Sequence, residues 1–420
     1  MSQTPTHNLL QEAVRYAAER SPFYKKLFAE SAINPHEINT IEDLRRLPTV
    51  DKNDLFIHNA DFLCVARNEV REYVTTSGTL GDPVWISLTE NDLQRLGRNE
   101  AFSYALAGLG SGDLIQLTTT LDKRFMAGMA YWLGAREAKV AVVRTGPGIP
   151  ELQWDTIQRM GSTVLVAVPS FLLKMVEYAE RAGIDPNQST VKKAICIGEP
   201  VRNADLSPNA LAARITEKWH IQLFGTYAST EMATAFTECE AGAGGHLNPE
   251  LIVAECLDDA GNPVPEGEPG EITVTTLGVE GMPLVRFRTG DMARIHTQPC
   301  TCGRHTPRIG PVEGRKQQMI KYRGTTLYPP AIFDLLNGLP QIETYVVELR
   351  QNEIGTDEII IRAALNNATE DFEKELKDKF RAKLRVAPHI QFEEAQAVNA
   401  LRWPEGNRKP RLLVDLRGGA

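Results

Sequence analysis

From about residue 112 the chain repeats one pattern, a short apolar run, a turn and an amphipathic stretch, and this restricts the fold more than any other feature. Leu114-Ile-Gln-Leu117, Val140-Ala-Val-Val143 and Val164-Leu-Val-Ala-Val168 read as strands, and Phe171 to Ala182 reads as a helix. Apolar strands alternating with helices require cover on both faces, so the pattern predicts a largely parallel sheet in an α/β body. Asn8 to Leu27 carries apolar residues at helical spacing (Leu9, Leu10, Ala13, Val14, Ala17) up to a break at Ser21-Pro22, and reads as a packing helix. Between Leu251 and Ile295 the texture changes to short strands punctuated by Gly and Pro, as in Asn262-Pro-Val-Pro265 and Glu271-Ile-Thr-Val-Thr-Thr276, which predicts a small β-rich lobe. Beyond Gly314, strand-like Tyr345–Leu349, Ile359–Ile361 and His389–Phe392 surround a helical face of Phe372, Leu376 and Phe380. A separate α+β unit of about 100 residues fits that stretch. The expected division is a domain of residues 1–316 and a C-terminal domain of 317–420.

A chain of 420 residues, 42% apolar, can bury a large core. Its 46 basic and 54 acidic side chains, net −8, leave no electrostatic footprint for nucleic acid, and no basic run appears. No signal-peptide core occupies the first twenty residues and no window approaches the ~20 apolar residues of a membrane span, so no membrane association and a cytoplasmic location are expected. Six cysteines are too few for a disulfide framework in a chain this long. Cys64, Cys196 and Cys256 are isolated and read as small buried apolar residues.

Three segments carry the chemistry. Arg71-Glu-Tyr-Val-Thr-Thr-Ser-Gly-Thr-Leu-Gly-Asp-Pro83 is rich in hydroxyls and glycine. Gly78 and Gly81 permit a tight turn with inward N–H groups, and Thr75, Thr76, Ser77 and Thr79 add donors suited to phosphate, although a polar surface turn has the same composition. Phe224-Gly-Thr-Tyr-Ala-Ser-Thr-Glu231 sets a hydroxyl beside a carboxylate, as a magnesium ion bridging phosphates needs, and as a helix cap with an acidic first turn also has. In Arg286-Phe-Arg-Thr-Gly-Asp291 a carboxylate follows a glycine turn, where it can accept from a ribose diol or stand as a solvated turn residue. A fourth group is metal-like. Cys300-Thr-Cys302 is a tight thiolate pair, and Cys239 and His246 complete a Cys₃His set of the kind structural zinc takes, with His296 and His305 competing for the fourth place.

In this order and spacing, and with Gly314-Arg315 following, these segments resemble the motif series of the adenylate-forming enzymes: acyl- and aryl-CoA synthetases, peptide-synthetase adenylation domains and luciferases. More narrowly the chain resembles the phenylacetate-CoA ligase family. That resemblance runs through Ser21-Pro-Phe-Tyr24, Leu47-Pro-Thr-Val-Asp-Lys52, Pro169-Ser170, Gly198-Glu-Pro200, Pro299-Cys-Thr-Cys-Gly-Arg304 and Gly314-Arg315. It implies a large N-terminal α/β domain with parallel sheets and a β-rich zinc-binding lobe, followed by a small mobile α+β C-terminal domain. By the resemblance Ser77, Gly78, Thr79 and Gly81 hold the β- and γ-phosphates of ATP, and Gly198, Glu199 and Pro200 line the adenine. Tyr227 stacks near adenine or the acyl group, with Ala228 and Ser229 in the same nucleotide-binding turn. Thr230 contacts the adenylate phosphate, Glu231 ligates Mg²⁺, Asp291 binds the ribose, and Arg315 belongs to the nucleotide edge. Lys409 is in the position of the catalytic C-terminal lysine, with Arg408 and Arg411 as neighbouring alternatives, and Gln317 is at the pivot about which the family's C-terminal domain turns.

The implied reaction is ATP-dependent, AMP-forming activation of an aromatic acid and its transfer to coenzyme A. The second reading passes the acyl group to a carrier-protein thiol, an amine or a reductase partner, and a third makes the chain a catalytically dead binding module. Partners are then small molecules, with a homodimer as the macromolecular assembly. Lys123-Arg-Phe-Met-Ala-Gly128 is expected to border the acyl pocket through Phe125, which serves equally well as a core residue. Zinc held by Cys239, His246, Cys300 and Cys302 is expected to support folding of the β-rich lobe. Four positions depart from the family pattern: Asp82 for a lysine, Ala228 for a glycine, Gln317 for an aspartate or lysine, and Phe333 for a glutamate.

Overall fold

The alternation of apolar strand and amphipathic helix builds a parallel core. The computed structural model describes residues 4–76, 84–322, 325–352, 357–366, 371–404 and 410–417. Its contacts divide the chain into two compact units, Met1–Pro208 with Ala212–Val312, and Asn209–Leu211 with Glu313–Ala420.

In the first unit a hairpin of β1 (Glu72–Thr75) and β2 (Trp85–Leu88) precedes the main sheet. β3 (Leu114–Leu117), β4 (Ala141–Arg144), β5 (Val164–Ala167), β6 (Lys193–Ile197) and β7 (Gln222–Ser229) run parallel in the order β7-β6-β5-β3-β4. β8 (Thr234–Glu238) and β9 (Gly245–His246) then turn back antiparallel. A second sheet follows, in which β11 (Gly270–Thr276) lies between β10 (Ile252–Leu257) and β12 (Phe287–Ala293), antiparallel to both. β13 (Ile295–His296) and β14 (Arg308–Ile309) rejoin the main sheet through β9, giving nine strands. The sheet is therefore mixed, because hairpins replace helical crossovers after β7. Asn262-Pro-Val-Pro265 forms only a bridge from Pro263 to Leu257 rather than a strand. Its two prolines have no N–H to offer a ladder.

Alternate residues of the parallel strands, Ile115, Leu117, Val164, Val166, Ile195, Ile197 and Phe224, form one core with Tyr104 and Tyr131. Two helices cover it, Glu90–Leu106 and Met126–Glu137. They approach so closely that a Cβ at Gly134 would stand 2.2 Å from that of Glu100, so only glycine fits. The N-terminal stretch is broken as expected: Ser21 ends the helix Thr4–Arg20 and caps Pro22–Glu30 by accepting from Tyr24 N–H. Cys64 and Cys196 are buried and Cys256 is half-buried against the core.

The second unit opens with β15 (Gly314–Arg315), followed by the hairpin of β16 (Ile320–Tyr322) and β17 (Thr325–Leu327). β18 (Ile342–Gln351), β19 (Asp357–Leu365), β20 (His389–Phe392) and β21 (Leu413–Asp415) form a sheet in the order β20-β19-β18-β21. The helix Phe372–Leu384 lays Phe372, Leu376 and Phe380 into the unit's core. Phe333, where a glutamate was the family expectation, packs against that core with its ring 6.2 Å from Tyr345.

One buried cation connects the sheets of the first unit. Arg95, from the middle of Glu90–Leu106, donates through Nε to Leu277 O (2.7 Å), through Nη1 to Ala233 O (2.7 Å), and through Nη2 to Thr234 Oγ1 (3.0 Å) and Leu251 O. One turn earlier Asp92 accepts from the N–H groups of Glu280 and Gly281. Replacing Arg95 by Met removes four hydrogen bonds to buried acceptors and should cost about 3 kcal/mol or more. A urea midpoint measurement checks this. Arg95→Lys should recover only part, since one ammonium cannot reproduce the planar fork.

Candidate active site

Of the expected nucleotide residues, Gly198, Glu199, Pro200, Tyr227, Ala228 and Ser229 lie where the parallel strands β6 and β7 end, the usual ligand edge of such a sheet. Gly198 leaves β6 with φ +75°, a conformation glycine adopts without strain. Glu199 then reaches back and accepts from both the N–H and the hydroxyl of Ser170, each at 2.9 Å. Ser170 is in the first turn of the helix Pro169–Ala182, whose N-cap residue Val168 has no capping side chain. Glu199 supplies the missing acceptor and a negative charge at the positive end of that helix. Pro169-Ser170 and Gly198-Glu-Pro200, distant in sequence, are thus one piece of structure.

Ile197 of β6 pairs with Thr226 of β7, which brings Tyr227, Ala228 and Ser229 alongside Gly198. The Tyr227 ring stacks on Phe236 at 5.8 Å, and its hydroxyl donates to Asp291 Oδ2 at 2.9 Å. Burial, reinforced by the Asp291 charge, lifts the phenol well above its ordinary pKa, so the donor keeps its proton. Asp291 arrives from the second sheet. Between Glu271 and Thr273 of β11, β12 passes from Met292 to Arg288, so it carries two extra residues within the bulge, and Gly290 takes φ +77°. Bulges re-aim side chains in this way. Asp291 is consequently a strand residue, 8% exposed, rather than one following an open turn. The arginines of the same motif are structural: Arg286 holds Glu255 through two contacts at 3.1 Å, and Arg288 holds Glu271 at 2.8 Å.

Thr230 and Glu231 occupy the turn from β7 to β8, closed by Met232 N–H donating to Ser229 Oγ and by Arg95 at Ala233 O. Glu231 is 8% exposed, and its Oε1 lies 3.4 Å from Lys52 Nζ. Ala228 is exposed. Lys52, beside Glu231, is a residue that motif reading passed over, although its segment belongs to the resemblance. Val50 pairs with Phe287, with Val50 N–H donating to Arg286 O and Arg288 N–H to Val50 O, and this fastens the segment to β12.

Ser77, Gly78, Thr79, Gly81, Asp82 and Lys409 lie outside the described residues. Thr76 stands at the neck of the loop and exchanges backbone and hydroxyl bonds with Val84. Arg315 and Gln317 belong to the second unit, where the Gln317 carbonyl accepts from Arg417. Phe125 precedes the helix Met126–Glu137 and, with Met129, Trp132, Arg124 and Arg144, lines a cavity of about 350 Å³.

The cysteine and histidine ligand atoms converge elsewhere. Those of Cys239, His246, Cys300 and Cys302 lie within 4.8 Å of one another, and His296 and His305 are not in the group. Cys239 Sγ is 3.7 Å from Cys300 Sγ and 3.3 Å from His246 Nε2, and Cys302 Sγ is 3.6 Å from that nitrogen. A tetrahedral zinc with bonds of about 2.3 Å to sulfur and 2.0 Å to nitrogen requires edges of roughly 3.8 and 3.5 Å, so these residues fit one. His246 Nδ1 is 2.8 Å from Thr306 Oγ1, a second contact that orients the ring. Burial, helped by Arg304 and Arg308, lowers the imidazole pKa to about 4, and burial raises the Cys239 thiol to about 12. The cluster closes the antiparallel end of the nine-stranded sheet, at β8, β9 and the β13–β14 connection, and not the β10–β12 lobe to which sequence texture assigned it. Gly/Pro punctuation marks the lobe's turns but does not reveal which sheet the flanking strands join.

Residues 41–281 match the family model of AMP-binding enzymes. The chain belongs to that family. Phenylacetate-coenzyme A ligase of Thermus thermophilus is 30% identical over 85% of this chain and 80% of its own length. The ligase of the same name from Aromatoleum evansii is 29% identical over 81% of this chain and 76% of its own. In fold, the enzyme is similar to 2-hydroxyisobutyryl-CoA ligase solved in the postadenylation state with 2-HIB-AMP, with a TM-score of 0.84 at 22% identity over 98% of this chain and 88% of that one. The enzyme is an AMP-forming acid–CoA ligase. No helix among its described residues is long and apolar enough to cross a membrane. Because Tyr227 joins the two sheets through Asp291, Tyr227→Phe should lower stability by about 1 to 2 kcal/mol while preserving the ring stack, a loss readable in thermal melts.

Proposed function

We propose that the enzyme activates an aromatic carboxylic acid with ATP and transfers it, through the acyl-adenylate, to coenzyme A. The observation that carries this reading is the meeting of Tyr227, Asp291 and Glu231 beside Gly198 and Glu199 at the ends of β6 and β7, in a chain related over most of its length to phenylacetate-CoA ligases. A carboxylate oxygen of the acid attacks the α-phosphorus and pyrophosphate leaves; the thiol of coenzyme A then attacks the acyl carbon and AMP leaves. The first step brings anions together, so fixed donors and cations must neutralise them. Asp291 accepts from the ribose hydroxyls, oriented by the Tyr227 hydroxyl. Gly198, Glu199 and Pro200 form the adenine wall, and because the Glu199 carboxylate is committed to Ser170 its part is to shape the wall through backbone. Ser77, Gly78, Thr79 and Gly81 cradle the outer phosphates, with Ala228 and Ser229 beside the nucleotide and Thr230 at the α-phosphate. Glu231 suits Mg²⁺, which takes one or two carboxylates and completes its shell with substrate oxygens and water. When bound there, the ion neutralises phosphate charge. Lys409 and Arg315 contribute from the C-terminal domain, 317–420 with its approach at 314–316, turning about Gln317 between the half-reactions.

The aryl group is assigned to the cavity at Phe125, where Met129 and Trp132 supply an apolar wall and Glu72, Asp122, Arg124 and Arg144 polar groups. The test is pyrophosphate release against a panel of aryl acids, with and without coenzyme A. Aryl-acid-dependent release with consumption of coenzyme A is expected, whereas release without thiol consumption assigns the acyl group to another acceptor. Glu231→Gln should cut adenylation about a hundredfold, and Asp291→Asn should chiefly raise the KM for ATP by about tenfold, having lost a charge-assisted contact. Parent-like rates from both variants overturn the site.

We also assign a structural zinc to Cys239, His246, Cys300 and Cys302, a closed set with no position left for substrate. Metal analysis of protein purified without added metal should find close to one zinc per chain. The pair Cys300→Ser and Cys302→Ser should lower the melting temperature, since binding energy at a closed site is folding energy.

A further inference from the structure

Lys52 stands in the first turn of the short helix Lys52–Ile57, where the backbone dipole favours anions, yet it places its ammonium 3.4 Å from the buried carboxylate of Glu231. The segment before it is fixed to β12 by Val50 and by Arg286 Nη1 donating to Leu47 O at 2.7 Å. A capping box at Asp51, whose Oδ1 accepts from Asn53 and Asp54 N–H while Asp54 returns an acceptor to Asp51 N–H, fixes the turn itself. The base of Lys52 is therefore held on the strand that carries Asp291, and its flexible four-carbon stem provides the reach.

Neighbouring ion pairs show what a purely structural pair looks like in this unit. Arg286–Glu255 and Arg288–Glu271 are arginine pairs at 3.1 and 2.8 Å, with guanidiniums only 3% and 13% exposed. Lys52–Glu231 is longer, uses a lysine and leaves the lysine side chain 30% exposed beside a glutamate side chain 8% exposed. A flexible, part-exposed lysine of this kind has the reach to take another partner. Meanwhile the hydroxyl- and glycine-rich segment 77–83, Ser-Gly-Thr-Leu-Gly-Asp-Pro, contributes no basic residue.

We propose that Lys52 is a polyphosphate-binding cation of this enzyme: it neutralises Glu231 in the empty site and passes to the outer phosphates of ATP when Glu231 engages the magnesium nucleotide. The inference rests on the adenylation reading given above. The ammonium prevents Glu231 from being a buried, uncompensated charge before substrate arrives. On exchange, the carboxylate gains the metal and the lysine gains phosphate oxygens, so neither charge is left alone.

The test compares Lys52→Met, Lys52→Arg and Glu231→Gln in three assays: acid-dependent pyrophosphate release, the reverse reaction of pyrophosphate with synthetic acyl-adenylate to give ATP, and thioester formation from that acyl-adenylate and coenzyme A. Lys52→Met should raise the KM for magnesium ATP and for pyrophosphate by about tenfold to a hundredfold, and Lys52→Arg should recover most of the loss. Thioester formation involves no pyrophosphate and should change less than twofold. Unchanged KM values for both ATP and pyrophosphate in Lys52→Met overturn the proposal, as does equal loss in all three assays with a lowered melting temperature, which makes the pair structural. If Glu231→Gln also adenylates like the parent, the adenylation site itself is misplaced; if Glu231→Gln is impaired and Lys52→Met is not, only the role of Lys52 fails.

Discussion

A single buried guanidinium sets the frame on which the rest of the first unit depends. Arg95 donates to the turn after β7, to the approach to β10 and to the exit from β11, which are three chain segments from two sheets. Burial pulls its pKa down to about 10, which leaves it charged at neutral pH. Its cost in desolvation is offset by hydrogen bonds to buried acceptors on those three segments. The turn so fixed is the one presenting Thr230 and Glu231. A core arginine on a covering helix thereby reaches the chemistry through backbone geometry.

The site is assembled from pairs in which each polar group restrains another. Glu199 caps the helix that starts at Pro169, Tyr227 holds Asp291 across the gap between sheets, and Lys52 holds Glu231. These groups are largely buried, so an unpaired member would be expensive. Two of the three pairs hold a carboxylate, Asp291 under the Tyr227 hydroxyl and Glu231 beside the Lys52 ammonium. The zinc-like cluster is different in kind. Its four ligands face one another at the antiparallel end of the sheet and leave nothing for a substrate.

Sequence reading located most of the regular elements because their signals are local. Leu114–Leu117 and His389–Phe392 have the bounds their apolar runs suggest, and Phe372, Leu376 and Phe380 form the buried face of one helix. It took Asn262–Pro265 for strand texture where two prolines lack an N–H and only a bridge forms, and it missed the mixed character of the main sheet, because strand direction after β7 depends on hairpin turns and not on strand composition. In the site, Tyr227, Glu231 and Asp291 were legible as motif residues. The pairing of Lys52 with Glu231 was not legible, since nothing local distinguishes Lys52 from a solvated surface lysine.

By itself the sequence determined the α/β class, the motif order that leads to the AMP-binding family, and the ligand types available for metal and nucleotide, because propensity, periodicity and side-chain chemistry are properties of short segments. Only the tertiary structure decided that Ser170 and Glu199 form one cap, that a bulge in β12 delivers Asp291 to Tyr227, that Lys52 meets Glu231 across a large separation in chain, and that His246 rather than His296 or His305 joins the three cysteines. Each is a meeting of segments remote in sequence, set by sheet order and by the burial that makes an unpaired polar group too costly to keep.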